Sequence, residues 1–313
     1  MALGGGGAFG FAHLGLLRVL EKAGIPIDYV SGVSFGSLVG ALYVGGGLEA
    51  AESIVHDRDR LMNLVADALH DTDGFANYVD EICNGRTLEL TEIPFYPVGY
   101  DLTEQKEFVL AEGTLGLGVL SASSMPGAWP TLEKIPGHRI VDGGVVNNVP
   151  VSTIWKAGAD FILGSSIIPS RSGFRARLPF DRLMKKLPEM MRPVLDSKLP
   201  DWIPARIPGA VHGVLDGRVF DCLTNKLTGS DTYEEITSRM NDMVRSLYLL
   251  MGQNGRDRSL QADYVFEFEP EDPGLDIYDF MNGRDIADMG QRNAVEVLQE
   301  IMDSYRQDTS RRF

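Results

Sequence analysis

A Gly-x-Ser-x-Gly pentapeptide stands between a short apolar segment and a long apolar segment near the start of the chain. It occupies residues 32–36, with Ser34 at its centre, and follows the segment over residues 27–31. The first segment is short and contains a β-branched residue, as in a buried strand, and the second has the length of a helix. A serine at such a strand–turn–helix junction is held above the carboxyl edge of a sheet, which makes an α/β fold the first prediction.

Short apolar segments alternate with helical segments along most of the chain. Helices are predicted over residues 12–22, 34–44, 48–70 and 285–305, and strands over residues 27–31, 95–100, 107–110, 139–141, 161–164 and 264–268. This alternation is typical of a mostly parallel sheet covered by helices on both faces. Because 313 residues with 44% hydrophobic content are enough for one such core, we expect a single α/β domain over residues 1–313.

The segment over residues 170–229 differs in composition from the rest of the chain. It holds six prolines, and between Ser170 and Arg206 nine basic residues stand against four acidic ones. That stretch therefore carries a charge of +5 in a chain whose net charge is −15. Dense prolines interrupt long helices, so we expect short amphipathic pieces that form a helical insertion, either a cap or a membrane-facing surface.

Charge and composition also exclude several classes of protein. The net charge of −15 argues against nucleic-acid binding, which requires a basic surface. Two cysteines, Cys83 and Cys222, predict reduced thiols and a cytoplasmic setting rather than a disulfide framework. A membrane span and a secretory signal are not expected from the apolar runs or from residues 1–10. The abrupt start before the glycines leaves residues upstream of Met1 an open question.

A glycine run precedes the pentapeptide and leads into the first predicted helix. Four consecutive glycines begin at Gly4, and a further glycine follows at Gly10. Glycines allow the backbone to approach a reacting group closely, and preorganised N–H groups stabilise the oxyanion that forms when an ester carbonyl is attacked. The predicted oxyanion-binding residues are Gly5, Gly6, Gly7 and Ala8.

The same run also matches the Gly-x-Gly-x-x-Gly pattern of dinucleotide-binding folds. That pattern requires an acidic residue about 20 positions further on, at the end of the second strand. Asp28 lies near this distance, but it precedes the predicted strand, and that strand ends in the Gly-x-Ser-x-Gly element. The dinucleotide alternative is therefore disfavoured, and a P-loop is excluded because no Gly-Lys-Ser/Thr follows.

A serine hydroxyl needs a base before it becomes a useful nucleophile. Of the five histidines, His212 alone stands late enough for a Ser–His arrangement of the usual kind, and it lies in the basic insertion. Asp142 is the better candidate because it follows the strand predicted over residues 139–141 and precedes Gly143 and Gly144. Its carboxylate is therefore predicted to emerge at the end of a strand and to act as the base.

In combination, these elements resemble the patatin-like phospholipase family, in particular its bacterial and neuropathy-target-esterase-type branch. The matching positions are Leu3 to Ala8, Gly10, His13, Gly15, Gly32, Ser34, Gly36, Asp142 to Val145, Asn147, Asn148 and Pro150. Residues 100–103 and 122–127 also resemble family positions. The likeness is strong over residues 2–168, loose over residues 260–302 and absent over residues 170–255.

The resemblance implies a three-layer α/β/α sandwich that carries a Ser–Asp dyad. Ser34 would be the nucleophile, Asp142 its general base and the glycine loop the oxyanion hole. The motif-supporting residues would be Gly10, Gly32, Gly36, Gly143 and Gly144. The family often has arginine where this chain has Phe9, so Phe9 is expected to narrow the pocket or to meet an acyl chain. Such a dyad requires no metal and no cofactor, and the sequence shows no metal-ligand spacing.

The activity implied is hydrolysis of acyl esters in phospholipids or lysophospholipids, with release of free fatty acid. Basic residues beside apolar ones, as over residues 170–206, favour peripheral contact with an anionic surface at the inner membrane face. Salt bridges between this segment and the acidic body are the alternative. Two other functions stay open: an acyltransferase or thioesterase of related topology, and a catalytically silent lipid-binding protein.

Overall fold

The computed structural model of the protein describes residues 1–68, 71–126, 128–169 and 231–310. The description is limited to the backbone for residues 231–241, 243–244 and 308–310. The insertion predicted over residues 170–229 lies outside the described residues, so its role as a cap or a membrane-facing surface stays a prediction.

The chain forms two compact units. One comprises Met1–Ala176 together with Leu247–Phe313, and the other comprises Arg177–Ser246. Of the second unit the structure describes residues 231–246, which form the first part of a long helix. The first unit contains the sheet and the predicted site residues. A single domain over residues 1–313 stays a prediction.

The first unit is built on a seven-stranded sheet. Its strands are β1 (Ala2–Leu3), β2 (Val30–Gly32), β3 (Phe95–Asp101), β4 (Lys106–Val109), β5 (Ile140–Asp142), β6 (Leu163–Ser166) and β7 (Tyr264–Glu267). The helices are α1 (Ala12–Lys22), α2 (Phe35–His56), α3 (Arg58–Asp67), α4 (Asp73–Ile82), α5 (Leu115–Ser123), α6 (Val151–Lys156), α7 (Asp231–Ser259, which belongs to this unit from Leu247 onward) and α8 (Gly283–Ser310).

The strands follow the order β4-β3-β2-β1-β6-β7, with β5 also paired to β3. The β1–β2, β1–β6, β2–β3 and β6–β7 pairs are parallel, whereas β4 and β5 run antiparallel to β3. Helices cover both faces of this sheet. The predicted fold class, a three-layer α/β/α sandwich with a mostly parallel sheet, is confirmed.

Helix α1 has the bounds that the sequence predicts. Its buried residues include Leu14, Leu17 and Leu20, which recur at helical spacing, while the side that carries Gly15 packs against the backbone of α8. Gly24, two residues after the end of the helix, adopts a φ of +69° and donates its N–H to the Glu21 carbonyl. A left-handed glycine at this position terminates the helix without a steric penalty.

Helix α2 begins directly after Ser34 and is interrupted where the sequence predicts a stop. Gly46 and Gly47 leave helical geometry, and a second helical segment continues across this kink to His56. Within the described residues, α2 is also the one helix with the length and apolar composition of a membrane span. Because 61% of that apolar window is buried inside the protein, a core helix accounts for it equally well.

Several elements differ from the predictions: helices α4, α6 and α7 were not predicted, and β6 begins at Leu163 rather than at residue 161. Strand β2 begins at Val30 rather than at residue 27, at the residue that pairs with Phe95, the first residue of β3. Strand β5 includes Asp142 itself and pairs antiparallel with β3, outside the parallel part of the sheet. Helix α5 was not predicted, because eight of its nine residues are buried and it therefore lacks a polar face with helical period.

Candidate active site

Ser34 occupies the sharp turn between β2 and α2. Its backbone has φ +53° and ψ −130°, a conformation that L-residues other than glycine rarely adopt. The turn is held by the Ser34 N–H, which donates to the Ala122 carbonyl at 2.8 Å, and by the Ser34 carbonyl, which accepts from the Ser37 N–H at 2.9 Å. The strained residue is therefore fixed on both sides and stands at the N-terminus of α2, where partial positive charge accumulates.

The two motif glycines allow this turn to pack against neighbouring backbone. A Cβ on Gly32 would lie 2.7 Å from the Gly36 carbonyl oxygen and from the Ser37 Cα. A Cβ on Gly36 would collide with backbone atoms of Leu3 and Gly4. Backbone atoms cannot move aside as a flexible side chain can. Glycine is therefore required at both positions because neighbouring backbone lies too close for a Cβ, and not because of its wider range of φ and ψ.

The other glycines predicted to support the motifs also lack room for a Cβ. At Gly10 a Cβ would meet the Phe35 ring, and at Gly143 it would meet the Val98 backbone. At Gly144 it would lie 3.0 Å from Asp142 Oδ1 and would also strike the Met251 side chain. The structure therefore gives each of these glycines a packing reason.

Asp142 is fully buried at the last position of β5. Its Oδ1 accepts a hydrogen bond from the Gly144 N–H at 2.8 Å, and its own N–H donates to the Ser124 carbonyl at 2.9 Å. Burial raises the pKa of this carboxyl from 3.8 to about 6, because desolvation outweighs the Ser34 hydroxyl and the Gly144 N–H, which both act to lower it.

Strand β3 brings the serine and the aspartate together. Gly32, two residues before the serine, pairs with Pro97, and Asp142 pairs with Gly99 on the same strand. Two residues of a strand span only about 7 Å. The parallel neighbour β2 and the antiparallel neighbour β5 therefore deliver their ends to the same region of the molecule.

The end of α5 links the same two residues a second time. Ala122 accepts the Ser34 N–H, Ser123 Oγ donates to the Ser34 carbonyl at 3.1 Å, and Ser124 accepts the Asp142 N–H. From the sequence, residues 122–127 are noted only because they resemble family positions, and no role is predicted for them. Their role in the structure is to connect the turn of Ser34 to the strand of Asp142.

The two side chains are neighbours, although the hydrogen bond between them is not closed. The Ser34 hydroxyl acts on the Asp142 carboxyl as a hydrogen-bonding group that lowers its pKa. Asp142 Oδ2 has no hydrogen-bond partner among the described residues. The carboxylate therefore keeps an acceptor oxygen free in a buried position beside the serine.

The glycine loop lies directly against Ser34. A Cβ on Gly5 would be 2.8 Å from the Ser34 Cβ and 2.8 Å from Asn148 Oδ1. The Asn148 side chain donates from Nδ2 to the Gly5 carbonyl at 3.0 Å and so ties the loop to the segment that follows Asp142. The predicted nucleophile, the predicted base and the predicted oxyanion loop therefore lie in one place.

Fewer backbone amides are available as oxyanion donors in the structure than the sequence predicts. The Gly5 N–H donates to the Asn148 carbonyl at 3.2 Å, and the Ala8 N–H donates to the Ile277 carbonyl at 2.6 Å. These two amides are committed to protein acceptors and cannot point at a substrate oxygen in this conformation. Among the described residues, the amides of Gly6 and Gly7 have no acceptor, so they are the available donors of the loop.

The His13 side chain binds the start of the glycine loop. Its Nε2 donates to the Gly4 carbonyl at 2.8 Å, and its Nδ1 accepts from Ser165 Oγ at 2.9 Å. The ring is fully buried, and burial lowers the pKa of His13 from 6.5 to about 4, so the imidazole is neutral at pH 7. The sequence placed His13 in the motif, and the structure shows it bracing the glycine loop against β6.

Replacing His13 with leucine is expected to lower the free energy of unfolding by about 2 kcal/mol at pH 8, because the Gly4 carbonyl loses its partner. The pKa of His13 is lower in the folded protein than in the unfolded chain, so protonation of His13 favours unfolding. The free energy of unfolding of the wild type therefore has its full value above pH 6.5 and falls by up to about 3 kcal/mol as the pH is lowered to 4. The variant should lack this decline. Urea unfolding at pH 8 and pH 5 measures both effects.

The matched control is His56→Leu, which changes an exposed histidine on α2. It should leave the free energy of unfolding and its pH dependence close to wild type. A His13→Leu protein with the same loss of stability on acidification as wild type would contradict the assignment of a buried, neutral imidazole.

Phe9 does not take the role expected from the sequence. Its side chain is only 1% exposed and packs on Phe268, with ring centroids 5.8 Å apart. The ring therefore belongs to the interior of the protein rather than to an open pocket. The cause is the short helical turn over Gly7–Phe11, which directs this side chain away from the surface and toward β7 and the residues that follow it.

Residues on α7 complete the surroundings of Asp142, and sequence reasoning missed them. Tyr248 is buried, and its pKa is raised well above the usual value, first by burial and then by Tyr278 and by the charge of Asp142. Asn254 forms hydrogen bonds to the backbone of Gly144 and Asn148. Nothing in the local sequence of α7 indicates a site, because these side chains matter only through the fold.

Comparisons with known proteins match this chain to one family. Residues 1–155 match the family model described as patatin-like phospholipase. Patatin-like phospholipase domain-containing protein 6 from Mus musculus is 29% identical over 179 residues, which cover 53% of this chain and 13% of that protein. Neuropathy target esterase sws from Drosophila melanogaster is 31% identical over 179 residues, with the same coverage of both chains.

Among solved structures, the crystal structure of VipD from Legionella pneumophila aligns with a TM-score of 0.44 and 12% identity, covering 95% of this chain and 66% of that one. The chain spans about 13% of the length of the curated relatives named above. The matched segment contains the glycine loop, Ser34 and Asp142. Through residues 1–155, this chain belongs to the patatin-like phospholipase family.

Proposed function

We propose that this protein is a lipid acyl hydrolase in which Ser34 attacks the ester carbonyl and Asp142 accepts the serine proton. The observation that carries the proposal is the position of Ser34, held at φ +53° next to a buried carboxylate whose Oδ2 has no partner in the part of the chain that the structure describes. Membership of the patatin-like phospholipases supports a lipid substrate. The finer substrate class that we propose is a phospholipid or a lysophospholipid.

The environment of Asp142 suits a general base. A carboxylate with an ordinary pKa is too weak a base to take a proton readily from a hydroxyl group. Burial raises the pKa of Asp142 from 3.8 to about 6, which makes proton transfer to it about 3 kcal/mol more favourable. The carboxyl is still largely ionised at pH 7, so it combines the required charge state with increased basicity.

The reaction proceeds in two steps, acylation of Ser34 and hydrolysis of the acyl-serine. As Asp142 takes its proton, the Ser34 Oγ forms a bond to the carbonyl carbon, and the N–H groups of Gly6 and Gly7 stabilise the oxyanion. The ester C–O bond then breaks, and Asp142 returns the proton to the leaving alcohol. Water attacks the acyl-serine and gives a proton to Asp142, and the acyl–oxygen bond breaks as Ser34 regains that proton, releasing free fatty acid.

The described histidines do not offer Ser34 a second base, since His56 is exposed at the far, C-terminal end of α2 and the other two are engaged elsewhere. Both ring nitrogens of His13 are engaged by Gly4 and Ser165. His138 binds Asp101 at 2.6 Å, on the antiparallel edge of the sheet. An acyltransferase or thioesterase that works through a Ser–His pair is therefore less well supported than hydrolysis through Ser34 and Asp142.

A fluorophosphonate probe tests the proposal directly. The purified protein should form one covalent adduct, and mass spectrometry should locate it on the peptide that contains Ser34. A total lipid extract incubated with the protein should release free fatty acid, and prior labelling should abolish that release. A protein that stays unlabelled and releases no fatty acid would contradict the proposal and favour the catalytically silent lipid-binding alternative.

The other enzymatic alternatives are separated by a comparison of acyl donors. Phospholipid, lysophospholipid and an acyl thioester are supplied at equal concentration, with and without an added alcohol as acyl acceptor. Hydrolysis of the glycerolipids with water as acceptor is the expected result. Preferential cleavage of the thioester, or transfer to the alcohol in place of hydrolysis, would assign the site to the alternatives instead.

Peripheral membrane contact through residues 170–206 is a separate part of the proposal. The basic and apolar composition of this segment supports it, with a cytoplasmic enzyme reaching the inner face of an anionic membrane. Sedimentation with anionic vesicles should remove more protein from solution than sedimentation with neutral vesicles. Equal binding to both would leave salt bridges to the acidic body as the role of the segment.

A further inference from the structure

The carboxamide of Asn254 spans the turn that follows Asp142. Its Oδ1 accepts the Asn148 N–H at 2.9 Å, and its Nδ2 donates to the Gly144 carbonyl at 2.9 Å. One side chain therefore satisfies a backbone donor and a backbone acceptor four residues apart. The contact fixes the orientation of the amide, because reversing it would place donor against donor and acceptor against acceptor.

The backbone bound by Asn254 leads directly to the groups of the proposed reaction. The Gly144 N–H donates to Asp142 Oδ1, so the position of Gly144 sets the position of the carboxylate. The Asn148 side chain binds the Gly5 carbonyl and its own carbonyl accepts the Gly5 N–H, so Asn148 sets the position of the glycine loop. Asn254 is thus connected to the base and to the oxyanion loop by one hydrogen-bonded step each.

Helix α7 packs closely enough to hold Asn254 in place. The Met251 side chain lies against Gly144, where an added Cβ would strike its Cε. One turn further along, a Cβ on Gly255 would come within 3.3 Å of the Asn148 Cβ. Residues 251 and 255 share a helix face, so the helix lies on both ends of the turn while Asn254 binds its backbone.

We propose that Asn254 is a positioning residue for the Ser34–Asp142 reaction, holding the turn over residues 143–148 so that the base and the glycine loop keep their relative geometry. The proposal rests on the function proposed above. Asn254 lies beyond residues 1–155, the part of the chain that matches the family, so the contribution comes from a segment that the family comparison does not cover. A displacement of about 1 Å at a reacting group is enough to reduce turnover roughly 100-fold.

Asn254→Ala removes both hydrogen bonds and is expected to lower kcat roughly 10- to 100-fold, with KM for a short-chain ester changed by no more than about twofold. The rate of fluorophosphonate labelling should fall by a similar factor. Asn254→Asp keeps the volume and the acceptor for Asn148 but cannot donate to Gly144, so it should lose activity as well. Assays at pH 8.5 keep Asp142 ionised in all variants, because its pKa is about 6.

The matched control is Gln253→Ala, at the exposed neighbouring position of α7, which should keep wild-type kcat, KM and melting temperature. An unlabelled wild-type protein would remove the proposed function itself. A labelled wild type with kcat for Asn254→Asp and Asn254→Ala within twofold of the parent would overturn the positioning role alone. Should the alanine variant fail to fold, the near-isosteric Asn254→Asp variant decides by the same criterion.

Discussion

Replacing Ser34 with alanine should reduce ester hydrolysis by about 10³-fold or more and abolish fluorophosphonate labelling. The change removes the atom that forms the acyl-enzyme bond, and loss of a nucleophile is among the largest single-residue effects known in serine hydrolases. The glycine loop and Asp142 remain in the variant, so binding of lipid should persist. Steady-state hydrolysis of a p-nitrophenyl ester and of a phospholipid measures the loss.

The stability of this variant series carries further information. Ser34 is held at φ +53° and ψ −130°, a region that only glycine enters without strain. Ser34→Gly should therefore be inactive and yet raise the free energy of unfolding by about 1 kcal/mol, whereas Ser34→Ala keeps the strain and should not. Chemical denaturation of both variants compares the two values.

Ser37→Ala is the control for both measurements. It removes a serine hydroxyl from the first turn of α2, directly after Ser34, and this hydroxyl is buried without a hydrogen-bond partner among the described residues. Activity should stay near wild type, and stability should be unchanged or slightly higher. A Ser34→Ala protein that hydrolyses esters at the parent rate would end the assignment of Ser34 as nucleophile.

Asp142→Asn should also lower turnover by about 10³-fold, because an amide cannot accept the serine proton. In the wild type, activity should rise with pH as the carboxyl ionises, with a midpoint near the pKa of about 6. The residual activity of the variant should not show this rise with pH, the acid limb of the profile. Measurement of kcat/KM between pH 4.5 and pH 9 for both proteins tests the assignment, and an unchanged acid limb in Asp142→Asn would assign it to another group.

The same substitution should increase stability above pH 6. The folded pKa of Asp142, about 6, exceeds the unfolded value of 3.8, so the folded protein holds this proton more tightly. The free energy of unfolding therefore falls as pH rises through about 4 to 6, by up to about 3 kcal/mol, and stays low above that range. Asparagine removes this cost, so the variant should be more stable at pH 8 and nearly equal to wild type at pH 4.

Urea unfolding at these two pH values measures the gain. A variant that is less stable than wild type at pH 8 would show that the buried carboxylate is better satisfied than its free Oδ2 indicates. Asp142→Asn is thus expected to gain stability and to lose activity. Such a trade-off is typical of an ionisable group whose burial favours catalysis at the cost of stability.

Much of the fold could be predicted because the relevant signals are local. Helix α1 shows its apolar period and its terminating glycine within residues 12–24, and its predicted bounds are those of the structure. The turn at Ser34 is specified by Gly32 and Gly36, because a Cβ at either position would collide with backbone. Helix α5 could not be predicted, since a helix that is buried all round leaves no periodic pattern in the sequence.

The family, the α/β class and the candidate nucleophile and base could all be read from the sequence, because short motifs specify turns and reactive groups directly. Other features required the folded structure. It shows that Asp142 ends an antiparallel strand beside β3, that the Gly5 and Ala8 amides are already bonded, and that Asn254 binds the turn after Asp142 from α7. Each of these facts depends on hydrogen bonds and burial between residues far apart in the chain, which no local pattern encodes.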